Sequence, residues 1–133
     1  MRRRVKLSLL LAALMTAACG KNSMPGRPDL PASVSPGWTQ KSYAAADPPP
    51  GLPPGPAPRC WKADYAGPGA VLVWLCGYRV AGSAFDAGQR ARAEANTVRF
   101  QEGNYLVTAK WNGGSRAEVT ALIRAIQKVL TAR

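Results

Sequence analysis

The chain has 133 residues, 18 Lys and Arg against 7 Asp and Glu, and a formal net charge of +11 at pH 7. It contains no histidine, which excludes His-based acid–base catalysis, Ser-His or Cys-His nucleophiles and imidazole metal sites. Four cations (Arg2, Arg3, Arg4 and Lys6) fall in the first six residues and 11 of the 12 prolines lie between residues 21 and 59. A folded unit is therefore expected over residues 60–133, near the size where burial alone is marginal.

The basic opening leads into Leu7-Ser8-Leu9-Leu10-Leu11-Ala12-Ala13-Leu14, and 14 uncharged residues separate Lys6 from Lys21. A bilayer-spanning helix needs about 20 apolar residues, so residues 1–18 read as a secretion signal. Met15-Thr16-Ala17-Ala18-Cys19 resembles the lipobox of bacterial lipoproteins, where small residues precede a modified cysteine. The resemblance implies diacylglyceryl transfer to the Cys19 sulfur, cleavage after Ala18 and acylation of the new amino terminus, hence an exported protein anchored to the membrane by lipid. Gly20 stands where an Asp in similar proteins signals inner-membrane retention, which favours the outer membrane, facing the periplasm, in a two-membrane cell. The alternative is an ordinary signal peptide cut near Ala17-Ala18, leaving Cys19 as a spare thiol.

Residues 19–59 then read as a lipidated N-terminus and a Pro-rich tether, ending in Pro48-Pro49-Pro50-Gly51-Leu52-Pro53-Pro54-Gly55-Pro56-Ala57-Pro58. Proline removes backbone donors and fixes φ, which argues against a helix or a central strand. As polyproline II the stretch from residue 21 would reach up to about 120 Å. A Pro-rich ligand for a partner's aromatic groove is the alternative role. Trp38 and Tyr43, in Trp38-Thr39-Gln40-Lys41-Ser42-Tyr43, predict a short piece that docks on the domain.

Within the domain, the turn Ala66-Gly67-Pro68-Gly69 separates two runs of strand formers, 60–65 and 70–78. Closing this hairpin with Ala66 opposite Ala70 sets Tyr65, Ala63 and Trp61 across from Val71, Val73 and Leu75 on one side. Lys62, Asp64, Leu72 and Trp74 fall on the other. The same register places Cys60 opposite Cys76, a position compatible with a disulfide that would contribute about 3 kcal/mol on the chain-entropy model. A catalytic or metal-binding thiol pair is the competing reading, against which stand the lack of CxxC and of histidine. Ser83-Ala84-Phe85-Asp86 predicts a helix start, with an alanine-rich helix running to residue 95. Residues 97–101 and 105–111 alternate with period 2 around Glu102-Gly103-Asn104 and would turn Val98, Phe100, Tyr105, Val107, Ala109 and Trp111 inward. Ser115-Arg116-Ala117-Glu118 is a capping box opening a helix over 116–131, with Val119, Leu122, Ile123, Ile126, Val129 and Leu130 on one stripe.

The expected fold is thus α+β: a two-layer sandwich of order ββαββα, with a four-stranded antiparallel sheet, both helices on one face and one disulfide. The other face would be partly open, with Leu72, Trp74 and Leu106 as the candidate binding surface, covered by the Trp38 segment or by a partner.

No chemistry stands out in the domain. Gly67-Pro68-Gly69 and Gly113-Gly114 read as turns rather than phosphate loops. The domain carboxylates Asp64, Asp86, Glu94, Glu102 and Glu118 suggest no acid pair in a cleft. The expectation is a non-catalytic binding or assembly module without metal or cofactor, its partners being the membrane through the anchor and an envelope protein or peptidoglycan, not nucleic acid; a cell-wall or lipid hydrolase is the further, less favoured alternative. Tyr105-Leu106-Val107, followed by the capping box and a Leu/Ile-rich helix, resembles the second half of SPOR domains. That resemblance implies binding of denuded peptidoglycan glycans and carries over no ligand residues.

Overall fold

The computed structural model describes residues 23–133; the expected leader and the expected lipidation at Cys19 lie outside the described residues. In chain order the elements are β1 (Ser33–Val34), β2 (Trp38–Ala46), β3 (Arg59–Ala66), β4 (Gly69–Gly77), α1 (Ala81–Arg90), β5 (Thr97–Glu102), β6 (Tyr105–Gly113) and α2 (Arg116–Thr131). All strands belong to one antiparallel sheet, ordered β1-β2-β3-β4-β6-β5 and curled into a half-barrel.

The β3–β4 hairpin adopts the expected register, with Tyr65 opposite Val71 and Cys60 opposite Cys76. Gly67 N–H donates to Gly69 O, so the pairs alternating from there leave Cys60 and Cys76 at a non-hydrogen-bonded position. Such pairs approach most closely, and the two cysteines are disulfide-bonded with Cα atoms 4.1 Å apart. The β5–β6 hairpin and α2 also form where expected. Ser115 Oγ accepts from the Glu118 N–H while Glu118 Oε1 accepts from the Ser115 N–H, completing the capping box.

Three features correct the expected sandwich. First, the sheet has six strands rather than four, because the Pro-rich stretch supplies β1 and β2. No proline falls inside Trp38–Ala46, so every residue of β2 keeps its N–H and the strand can sit between two neighbours.

Second, the helices lie on opposite faces. α2 covers the face of Trp61, Ala63, Tyr65, Val71, Val73, Leu75 and Val107, whereas Ala84 and Ala87 of α1 pack with Cys60, Cys76 and Leu106 on the reverse face. Gly88 permits that approach, since a Cβ there would stand 3.2 Å from Leu106 Cδ1. The larger aliphatic stripe of α2 fills the concave side, where each fully buried Val, Leu or Ile contributes about 1.5–3 kcal/mol.

Third, α1 begins at Ala81 behind an N-cap, Val80, that makes no side-chain cap bond, so Ser83 lies inside the helix, which ends at Arg90. Asp86 is used in an ion pair with Arg90 at 3.3 Å instead of as a helix-start residue.

The segment before β1 is also part of the fold. Tyr105, Tyr43 and Tyr65 donate their hydroxyls to the carbonyls of Gly26 (2.6 Å), Pro28 (2.7 Å) and Pro31 (2.7 Å), holding this segment across the concave face. Pro28 is fully buried and Pro25 packs on Gly77, whose missing side chain makes the room. No helix among the described residues is long and apolar enough to cross a membrane.

Candidate functional site

The three residues expected on an open face meet different fates. Leu106 is buried, 2% exposed, beneath α1. Leu72 and Trp74 are half-buried, and the Lys62 ammonium lies 5.8 Å from the centre of the Trp74 ring. Their face is narrowed by residues 50–52, expected in the tether, and by the loop at Arg92, expected inside the first helix. Leu52 packs against the Cys60, Cys76 and Leu106 cluster, and Gly51 O accepts from the Arg92 N–H at 2.9 Å. Arg99 ties both loops down: Nη1 donates to Arg92 O (2.6 Å) and Nη2 to Pro50 O (3.1 Å). The Trp38 segment does dock on the domain, as a strand, but its indole faces the concave side and donates to Glu118 O at 2.9 Å.

That contact shapes the concavity that sequence reasoning missed. Trp38 is 1% exposed and pins the start of α2 toward the β2 side of the sheet. Between α2 and β5, which also touch, the packing is incomplete. A groove of about 680 Å³ opens there, with Val98, Phe100 and Trp111 on its sheet wall and Val119 and Ile123 on its helix wall. Val98, Phe100, Trp111 and Ile123 are only partly buried, although alternation and helical spacing count them as core. Volume would have been the sequence signal: one 16-residue helix cannot cover the inward residues of every strand.

The groove runs along a sheet edge. Trp111 N–H donates to Asn96 O at 3.0 Å, which fixes the phase of the β5–β6 ladder. Alternation then points the backbone N–H and C=O groups of Thr97, Arg99 and Gln101 away from β6, along the outer edge of the sheet. Arg116 and Arg124 stand at the groove's helix side, exposed, and neither forms an ion pair among the described residues. Gln127 donates to Glu102 Oε1 at 3.2 Å beside the groove's far end.

Among the described residues the carboxylates that are hydrogen-bonded or ion-paired lie on separate segments of the chain. The Ser115 N–H and hydroxyl hold Glu118 below the ordinary carboxylate range, so it is ionised and occupied at neutral pH. Asp86 pairs with Arg90, and Glu94 lies 4.0 Å from Lys110. Burial pushes the phenols of Tyr43, Tyr65 and Tyr78 up, away from any role as a base at neutral pH. Among the described residues no three His, Cys, Asp or Glu side chains gather as a metal site. The groove brings together an apolar trough, two cations and the edge strand of the sheet. No protein family, curated protein or solved structure matches the chain.

Proposed function

We propose that the chain is a lipid-anchored cell-envelope protein whose domain is a non-catalytic binding module, and that it takes an extended, acidic segment of a partner protein alongside β5. The observation that carries this reading is the coincidence of the β5 edge with the apolar groove and with unpaired Arg116 and Arg124. A strand added there would bond to the backbone of Thr97, Arg99 and Gln101, and every second side chain would enter the groove. Acidic residues beside it would meet the two arginines. A second copy of the chain fits less well. Two-fold pairing centred on Arg99 would set Arg99 opposite itself and bring four further arginines to one edge, with like charges facing each other. Envelope location follows from the leader and from the Met15–Cys19 resemblance.

The test is photo-cross-linking in the native cell, with a benzophenone residue placed at Thr120, at Thr97 or, as a control, at Lys62. One protein cross-linked both from Thr120 in the groove and from Thr97 on the β5 edge through an extended segment, and lost in the Arg116→Glu, Arg124→Glu double variant, is expected. Adducts confined to glycan, to lipid or to a second copy of the chain would overturn the reading, as would none at all.

A further inference from the structure

Residues 25 and 26 are fixed to one end of the sheet, and Arg27 and Pro28 run inward from it along β2. Pro25 packs on Gly77, Gly26 O accepts from Tyr105, and Arg27 Nη1 donates to Tyr43 O at 3.0 Å. Six peptide steps separate Cys19 from Pro25, a reach of at most about 22 Å when fully extended. A lipid on Cys19 therefore cannot lie far from this end.

The composition of that end is distinctive. Arg59 pairs with Gly77 in the ladder, Arg79 follows two residues later, and Arg133 lies over the Tyr105 ring at 5.5 Å. All three are exposed and unpaired by any acid among the described residues. Two acids, Asp47 beyond β2 and Glu102 before the β5–β6 turn, share this end, and Glu102 is held by Gln127. Among the described residues the exposed large hydrophobics are Val80 (43%), the N-cap of α1 with Pro56 and Ala57 beside it, and Phe85 (57%), in the second turn of α1 next to Asp86, which is paired with Arg90.

We propose that this end, bearing Arg59, Arg79, Arg133, Val80 and Phe85, rests on an anionic lipid surface, so that the domain sits against the membrane instead of at the end of a long tether. The anchor places it there, and so far the inference rests on the lipoprotein reading. The arginines and exposed apolar groups supply the complementary contact independently.

Two measurements test it. The first is amide hydrogen exchange of the mature protein, with Cys19 acylation verified by mass, in vesicles of 3:1 phosphatidylcholine and phosphatidylglycerol. Slowing across 78–86 and 102–105 relative to detergent is expected, and it is expected to vanish in Arg79→Glu, Phe85→Ser. Acylated protein whose amides in these stretches exchange as in detergent would overturn the proposal. If Cys19 proves unmodified, the anchor reading fails by itself, and flotation of that unacylated protein with the same vesicles decides. Salt-sensitive partitioning that falls about fivefold in Arg79→Gln supports the face; no partitioning overturns it.

Discussion

Tyr43 and Tyr65 show how single hydroxyls turn a proline-rich segment into structure. Each phenol donates to a proline carbonyl, and proline segments carry many acceptors and few donors. Burial raises both phenol pKa values, opposed at Tyr43 by the Arg27 guanidinium and at Tyr65 by the hydrogen bond from Gln40. A raised folded pKa means the folded state holds its proton longer than the unfolded chain. The associated stability is complete below the ordinary tyrosine pKa of about 10 and is lost as pH rises through the raised folded value. A phenolate also cannot donate, so alkaline titration of Tyr43 and Tyr65 releases Pro28 and Pro31 and unfolds the domain. Denaturant midpoints are expected to be flat from pH 7 to 9 and to fall above pH 10. The 295 nm absorbance of the buried phenols would rise together with unfolding rather than before it. Tyr43→Phe is expected to cost about 1 kcal/mol and to weaken the alkaline dependence.

Among the elements, α2 was the most legible. Its capping box and its aliphatic spacing are both local signals, and the helix starts and stops within a residue of the expected limits. Ser115→Ala is expected to destabilise by about 1 kcal/mol in thermal or chemical denaturation. Glu118 adds a pH signature of opposite sign to that of the tyrosines. Its lowered folded pKa contributes stability above the ordinary glutamate value, lost as pH falls through the folded one, so the Ser115→Ala deficit should shrink in acid. The Cys60–Cys76 bridge was legible for a related reason, since one turn fixes the register of a hairpin and register fixes which residues face each other. β2 was not legible, because its partner β3 is distant in sequence and Trp38–Ala46 shows no clean alternation. Pairing across Gln40 and Ser42 even shifts register at a bulge. The side chosen by α1 was equally hidden, being decided by Gly88 against Leu106 and by an alanine face that suits either side of a sheet. For the candidate site, the walls Val98, Phe100, Trp111 and Ile123 were named from periodicity, but as core. Their exposure depends on where Trp38 holds α2, a contact spanning 80 residues.

For the molecule as a whole, the question is where the folding unit begins, and the answer separates a domain on a tether from a domain that includes its apparent tether. A chain of residues 60–133 would keep the disulfide, four strands and both helices. It would lose Trp38 from the concave core, the β2 partner of β3, and the segment whose Pro28 and Pro31 accept from Tyr43 and Tyr65. Removing one buried tryptophan side chain costs about 3–5 kcal/mol, and a small domain has only about 5–15 kcal/mol in total. Loss of Trp38, of one central strand's pairing and of the cover over Tyr65 together exceeds what such a fragment can spare. Residues 23–133 are therefore expected to unfold in one cooperative transition by denaturant. Residues 60–133, oxidised, are expected to show a broad transition and to bind a hydrophobic dye, as an uncovered concave face would. A sharp transition for the short fragment, with the same amide protection in β3 and β4, would instead make β1, β2 and residues 25–32 a removable cover. Residues 25 and 26 would then not bind the anchor's approach to one end of the sheet. Comparing the two chains thus decides whether the orientation proposed against the membrane is built into the folded core or only laid over it.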